Sequence, residues 1–215
     1  MKKFVVISHT HWDREWYMPF SVFRMKLVDL IDRLLGILER DSDYIFHLDA
    51  QTIVLEDYLA IHPRNEEKLK QYIASGNIRV GPWYLQNDFY LTDGEATVRN
   101  LMIGTAIAKQ FGKCGTVGYA PDQFGNISQL PQIIRQFGLR AFVFGRGFRF
   151  HETVDGVRRE KKMPAEFEWE GPDGTRCLAI HLRYWYNNAQ HIPEQRALAR
   201  LLLDINERNF EGLNV

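Results

Sequence analysis

Along this chain five short apolar runs alternate with amphipathic stretches of helical period, and that alternation leaves few folds open. Apolar runs of four or five residues suit strands covered on both faces. Each strand then needs a helical crossover before the next can lie parallel to it, and such crossovers are right-handed. The expected class is α/β, a mainly parallel sheet with flanking helices.

The runs are Phe4–Ile7, Tyr44–Leu48, Asn77–Val80, Thr116–Tyr119 and Ala141–Phe144. Between the first two, Phe23, Leu27, Leu30, Ile31, Leu34 and Leu38 recur at three- and four-residue spacing. They predict a helix to Arg40 with Ser21 as its cap. Further helices are predicted from Thr52 to Ile61, stopped by Pro63; from about Asn65 to the Ser75–Gly76 terminator; and from Gly94 to Phe111. Ser128 is read as the cap of another, ended by Gly138. The pattern then changes. Glu166–Glu170 and Arg176–Leu182 predict a hairpin, and the mixed charges of Arg158–Lys162 predict a solvated loop. A last helix is expected from Pro193, and Leu213–Asn214–Val215 reads as the opening of a sixth strand, so the chain is expected to be the N-terminal piece of something larger.

At 215 residues and 45% hydrophobic, with 13% aromatic, the chain can bury a full core and is most simply one large domain. Twenty-seven basic residues balance twenty-seven acidic ones, which removes the electrostatic footprint of a nucleic-acid or membrane-surface binder. A polar, uncharged ligand such as a sugar suits that balance better. No apolar segment approaches a membrane span, and the first run is too short for a signal-peptide core, so the default compartment is the cytoplasm. Cys114 and Cys177 are isolated and predict neither a disulfide framework nor a thiolate metal site.

The first run ends in Ser8-His9-Thr10-His11-Trp12-Asp13-Arg14-Glu15-Trp16, at the carboxyl end of a strand, where α/β proteins bind ligands. His11 and Asp13 offer an imidazole nitrogen and a carboxylate oxygen, a pair suited to zinc. Asp122, in the loop after the fourth run, is a third candidate if the first and fourth strands lie close together; otherwise it is a turn aspartate. Nitrogen and oxygen donors without cysteine favour zinc or another first-row divalent ion over calcium. Arg146, one β-α unit later, carries a guanidinium that could orient Asp122 and keep it ionised. Trp12, Trp16, Trp83, Tyr84 and Phe124 all fall in strand-end loops. One such ring is ordinarily packing, but five suggest a carbohydrate cleft. His47 and His62 are read as structural.

Together, His9–Trp16 and Gly118-Tyr119-Ala120-Pro121-Asp122-Gln123-Phe124-Gly125, with Gly81-Pro82-Trp83-Tyr84 between them and Arg146 after, resemble glycoside hydrolase family 38. These are the zinc-dependent retaining α-mannosidases, here in the form of the bacterial cytosolic members. The resemblance covers essentially the whole chain. It implies that residues 1–215 are an N-terminal α/β catalytic domain, part of an incomplete seven-stranded α/β barrel of the glycoside hydrolase/deacetylase type, without the later helical and β domains. It further implies one Zn2+ per chain on His11, Asp13 and Asp122, with Asp122 also the nucleophile and Arg146 bound to it. Trp16 and Phe124 would pack against the mannose ring, with Trp83 and Tyr186 as further substrate-binding residues. The implied substrate is terminal α-linked mannose on oligosaccharides or small mannosides. Neither nucleic acid nor membrane is an implied partner, and the parent is expected to be a homodimer. A fourth zinc ligand and the acid/base aspartate would follow Val215, leaving the isolated piece inactive. Two other readings stay open: a metal-dependent polysaccharide deacetylase, and a non-catalytic carbohydrate- or zinc-binding module.

Overall fold

The computed structural model describes residues 5–161, 164–182 and 185–190, together with Arg196 and Ala199. The helix expected from Pro193 falls outside these apart from those two residues, and the strand expected at Leu213–Val215 falls outside altogether. The chain divides into two compact units, one of residues 1–86 and 95–116, the other of residues 87–94 and 117–215.

The first unit is a three-stranded parallel sheet, β1 (Ser8–Thr10), β2 (Phe46–Leu48) and β3 (Ile78–Arg79), in that order. Helices α1 (Phe20–Leu38), α2 (Ile53–Leu59), α3 (Glu66–Ser75) and α4 (Gly94–Phe111) accompany it. The apolar face of α1 is buried at Phe23, Leu27, Val28, Ile31, Leu34, Leu35 and Leu38, the stripe its spacing predicts. From Leu27 onward those side chains share one core with Leu48, Leu55, Tyr58, Leu69, Ile73 and Ile78. A 3-10 turn at Pro63–Asn65 separates α2 from α3, and Gly76 ends α3 at φ 95°, a conformation that glycine adopts without Cβ strain.

Two expectations here need correction. The first strand is Ser8–Thr10, whereas Val5, Val6 and Ile7 stand exposed. The ladder begins where Ser8 meets Phe46, so Val5, Val6 and Ile7 precede the paired segment. α1 starts one residue before Ser21, with Pro19 at its N-cap and no side-chain cap. Proline's fixed φ suits that entry, and Val22 and Phe23 both donate to its carbonyl.

The second unit is a four-stranded sheet ordered β4 (Val117–Ala120), β5 (Ala141–Phe144), β9 (Arg176–His181), β8 (Glu166–Glu170). β4, β5 and β9 run parallel, and β8 closes the edge antiparallel to β9 as the predicted hairpin. Phe142 and Phe144 are buried and pack with Trp169, Phe167 and Phe148. Helix α5 (Leu130–Gln136) begins after Gln129 with no side-chain cap, so Ser128 does not cap it. The charged run forms part of a hairpin, β6 (His151–Val154) and β7 (Val157–Glu160), rather than a loop. Its two-residue turn is Asp155-Gly156, both at positive φ, which is the turn that matches strand twist. No helix among the described residues is long and apolar enough to cross a membrane.

Candidate active site

In the first unit the chain leaves β1 directly into His11. Its Nδ1 faces Asp49, 3.1 Å from Oδ2 and 3.3 Å from Oδ1, while its Nε2 faces Asp13 Oδ1 at 3.6 Å. The imidazole is thus flanked by a carboxylate on each nitrogen. Two ligands ~2.0–2.2 Å from one zinc ion lie about 3.4 Å apart in a tetrahedral site, close to the observed Nε2–Oδ1 separation. His11 and Asp13 therefore fit as a ligand pair. Among the described residues no group of three or more His, Cys, Asp or Glu side chains forms a ready-made metal centre.

Asp49 follows β2 and is fully buried. Its Oδ2 accepts from the Trp12 amide and from Gln51 Nε2, each at 2.8 Å; Gln51 Nε2 also donates to Trp12 O at 2.9 Å, and its Oε1 accepts from the Gln86 amide at 3.0 Å. Asp49 and Ala50 both hold positive φ, 45° and 55°, at a cost of roughly 1–2 kcal/mol per non-glycine residue. Arg14 forks onto Asp57 through Nε at 2.7 Å and Nη2 at 2.9 Å. That bond raises the Arg14 pKa, against the lowering effect of burial.

In the second unit Asp122 follows β4 and Arg146 follows β5. These strands are adjacent and parallel, so their carboxyl ends lie side by side. Arg146 Nε donates to the Asp122 carbonyl oxygen at 2.9 Å, and its guanidinium forms an ion pair with the Asp122 carboxylate. The same guanidinium lies 4.2 Å from the Phe124 ring centroid and 5.5 Å from that of Trp185, both within cation–π range. The Gly145 amide donates to Pro121 O at 2.9 Å, and a Cβ on Gly145 would fall 2.3 Å from that oxygen. Only glycine admits so close an approach of the two loops.

Among the aromatic candidates, Trp16 and Phe124 present exposed rings, at 75% and 72%. Tyr186 is partly buried and rests against Trp185, with ring centroids 4.9 Å apart. Trp83 is a correction: at 1% exposure, with its backbone bonded to Ala50 and Thr52, it is a core residue and offers no ring face to a sugar. Reading the sequence also missed Asp49, Gln51, Asp57 and Trp185. The available signal for the first two was position, since Asp49-Ala50-Gln51 ends the second strand as His11–Asp13 ends the first. Cys177 is buried and its thiol is pushed up to about 11 by desolvation; burial also raises Cys114. Neither thiol is poised for chemistry.

Each unit is thus a parallel α/β layer that delivers polar side chains from its strand ends, an imidazole with carboxylates in the first and a carboxylate with an arginine in the second. The chain belongs to glycoside hydrolase family 38, whose N-terminal domain model, "Glycosyl hydrolases family 38 N-terminal domain", matches residues 1–212. It is 46% identical to a putative mannosylglycerate hydrolase of Halalkalibacterium halodurans over 87% of this chain and 21% of that protein. It resembles the crystal structure of an alpha-mannosidase from Enterococcus faecalis V583 with a TM-score of 0.82 and 37% identity, over 94% of this chain and 22% of that one. A putative polysaccharide deacetylase from Mycobacterium smegmatis, 14% identical with a TM-score of 0.52 over 87% of this chain and 62% of that one, shares the fold alone. The chain thus spans about a fifth of the length of the hydrolase and mannosidase it matches.

Proposed function

We propose that this chain carries the nucleophile and part of the zinc site of a retaining hydrolase of terminal α-linked mannose, acting on oligosaccharides or small mannosides. The observation that carries the reading is Asp122, a carboxylate at a strand end gripped by Arg146 beside the exposed ring of Phe124, in a chain of this family. Retention needs one carboxylate to attack the anomeric carbon and a second carboxyl, about 5–5.5 Å away, to protonate the leaving oxygen. In this reading Asp122 attacks.

His11, Asp13 and Asp122 would hold the zinc ion, which when bound supplies Lewis-acid orientation of the sugar hydroxyls. His11 and Asp13 keep one nitrogen and one oxygen donor side by side, as the described pair does. Arg146 fixes Asp122 through both its backbone carbonyl and its carboxylate, so the attacking oxygen is held against a defined frame. Phe124 and Trp16 would offer flat faces to the apolar side of the mannose ring. The relatives' names favour mannosides over acetylated polysaccharides.

In the parent enzyme that carries this chain, a fluorinated mannosyl fluoride should leave a covalent adduct on Asp122, located by peptide mass spectrometry, and NMR of the first product should show the α-anomer. An adduct on another carboxylate, or early β-mannose, would refute the assignment.

A further inference from the structure

The His11 imidazole does not stand alone behind its metal-facing nitrogen. We infer that Asp49 is a positioning residue for His11. Its carboxylate accepts a proton-bearing Nδ1, fixes the tautomer, and leaves the Nε2 lone pair directed at zinc beside Asp13. This deepens the zinc reading above and rests on it. The geometry is specific, because the two imidazole nitrogens meet different carboxylates, Asp49 at 3.1 Å on Nδ1 and Asp13 at 3.6 Å on Nε2. Asp49 is itself immobilised. It is fully buried and accepts from the Trp12 amide and Gln51 Nε2 at 2.8 Å. Trp12 lies between His11 and Asp13 in sequence, so the bond from Asp49 to its amide holds the backbone of the ligand pair while the bond to Nδ1 holds the ring.

The backbone supports the same conclusion. Two successive non-glycine residues at positive φ are an unusual way to end a strand, and such outliers persist where the surroundings over-determine them. Here they occur at the carboxylate that meets the His11 Nδ1. A carboxylate behind a ligating imidazole raises its basicity and orients the ring, and its loss costs about 10–100-fold in metal affinity.

The test uses the full chain, prepared metal-free. Long-range proton–nitrogen NMR of the wild-type imidazoles, with the His11 signals assigned by their loss in His11→Gln, should show the Nδ1–H form of His11; a dominant Nε2–H form would overturn the inference without any variant of Asp49. Zinc affinity is then read by chelator competition. Asp49→Asn should weaken zinc about 10–100-fold. Gln51→Ala breaks the Gln51 bonds to Asp49 and Trp12 without touching the imidazole, and should lower the metal-free urea midpoint while changing zinc affinity by less than about threefold. Zinc affinity that merely tracks the loss of stability in both variants would make Asp49 structural only. If His11→Gln abolishes binding while Asp49→Asn leaves it intact, the positioning role falls and the zinc reading stands. If His11→Gln leaves binding unchanged, the zinc reading itself falls, and this inference with it.

Discussion

His47 stands in the middle of β2, in register with His9 on β1 and Arg79 on β3. Desolvation lowers its pKa to about 4, opposed by the charge of Asp49 and reinforced by His9 and Arg79. The folded protein therefore keeps His47 neutral while an unfolded chain takes up a proton through about 6.5. Below that pH the unfolded state binds more protons, so the contribution to stability is full above about pH 6.5 and is lost as pH falls toward 4. The size is about 3 kcal/mol at most for a displacement from 6.5 to about 4. Between pH 7.5 and 4.5, urea unfolding of the wild type should lose roughly 2–3 kcal/mol more than that of His47→Gln. Equal losses would show that another group dominates acid sensitivity. His47 illustrates what is readable at this scale: a histidine inside an apolar run is recognisably structural before any coordinates exist. Asp49, two residues on, was marked only by its place at the end of the second strand. The Trp12 amide and the His11 ring it meets are 37 and 38 residues away, so local sequence does not show what it holds.

Two glycines inside helices should respond to alanine with opposite signs. Gly36 in α1 has nothing within 4 Å of a built Cβ, so Gly36→Ala should stabilise by about 0.5–1 kcal/mol through helix propensity alone. A Cβ on Gly104 in α4 would lie 2.2–2.3 Å from the backbone of residues 82–84. Overpacking against backbone, typically 1–3 kcal/mol, outweighs the same propensity gain, and Gly104→Ala should be destabilising. Urea midpoints of the two variants decide it, and stabilisation by both would contradict the packing. The elements themselves were largely legible. α4 and β5 have the bounds that periodicity predicts, because buried stripes and short apolar runs are written in local sequence. The first strand shifted because strand limits depend on the partner, which local sequence does not name. The β6–β7 hairpin was missed because composition was weighed over turn chemistry: Asp155-Gly156 was the better guide to a run whose charges only mark it as exposed. The ends of β4 and β5 bring Asp122 and Arg146 together for a reason that parallel pairing alone supplies.

For the molecule as a whole, a ligand that binds only the folded state shifts the unfolding equilibrium by mass action. Zinc at a hundredfold excess over its Kd should stabilise by about 2.7 kcal/mol. The metal-free chain should gain a higher thermal midpoint on titration with zinc, and the His11→Ala, Asp13→Ala double variant should gain none. An equal gain in that variant would place the ion elsewhere. The division of the chain has a different consequence, one of timing during synthesis. The first unit needs residues 1–86 and 95–116, and the second takes residues 87–94 together with everything after 116. At about 5–20 residues per second on the ribosome, every segment of the first unit has been made several seconds before the last of the second. The nascent chain therefore holds residues 87–94 in waiting: Phe89 meets Phe142, and Tyr90 closes over Gly125, only after their partners emerge.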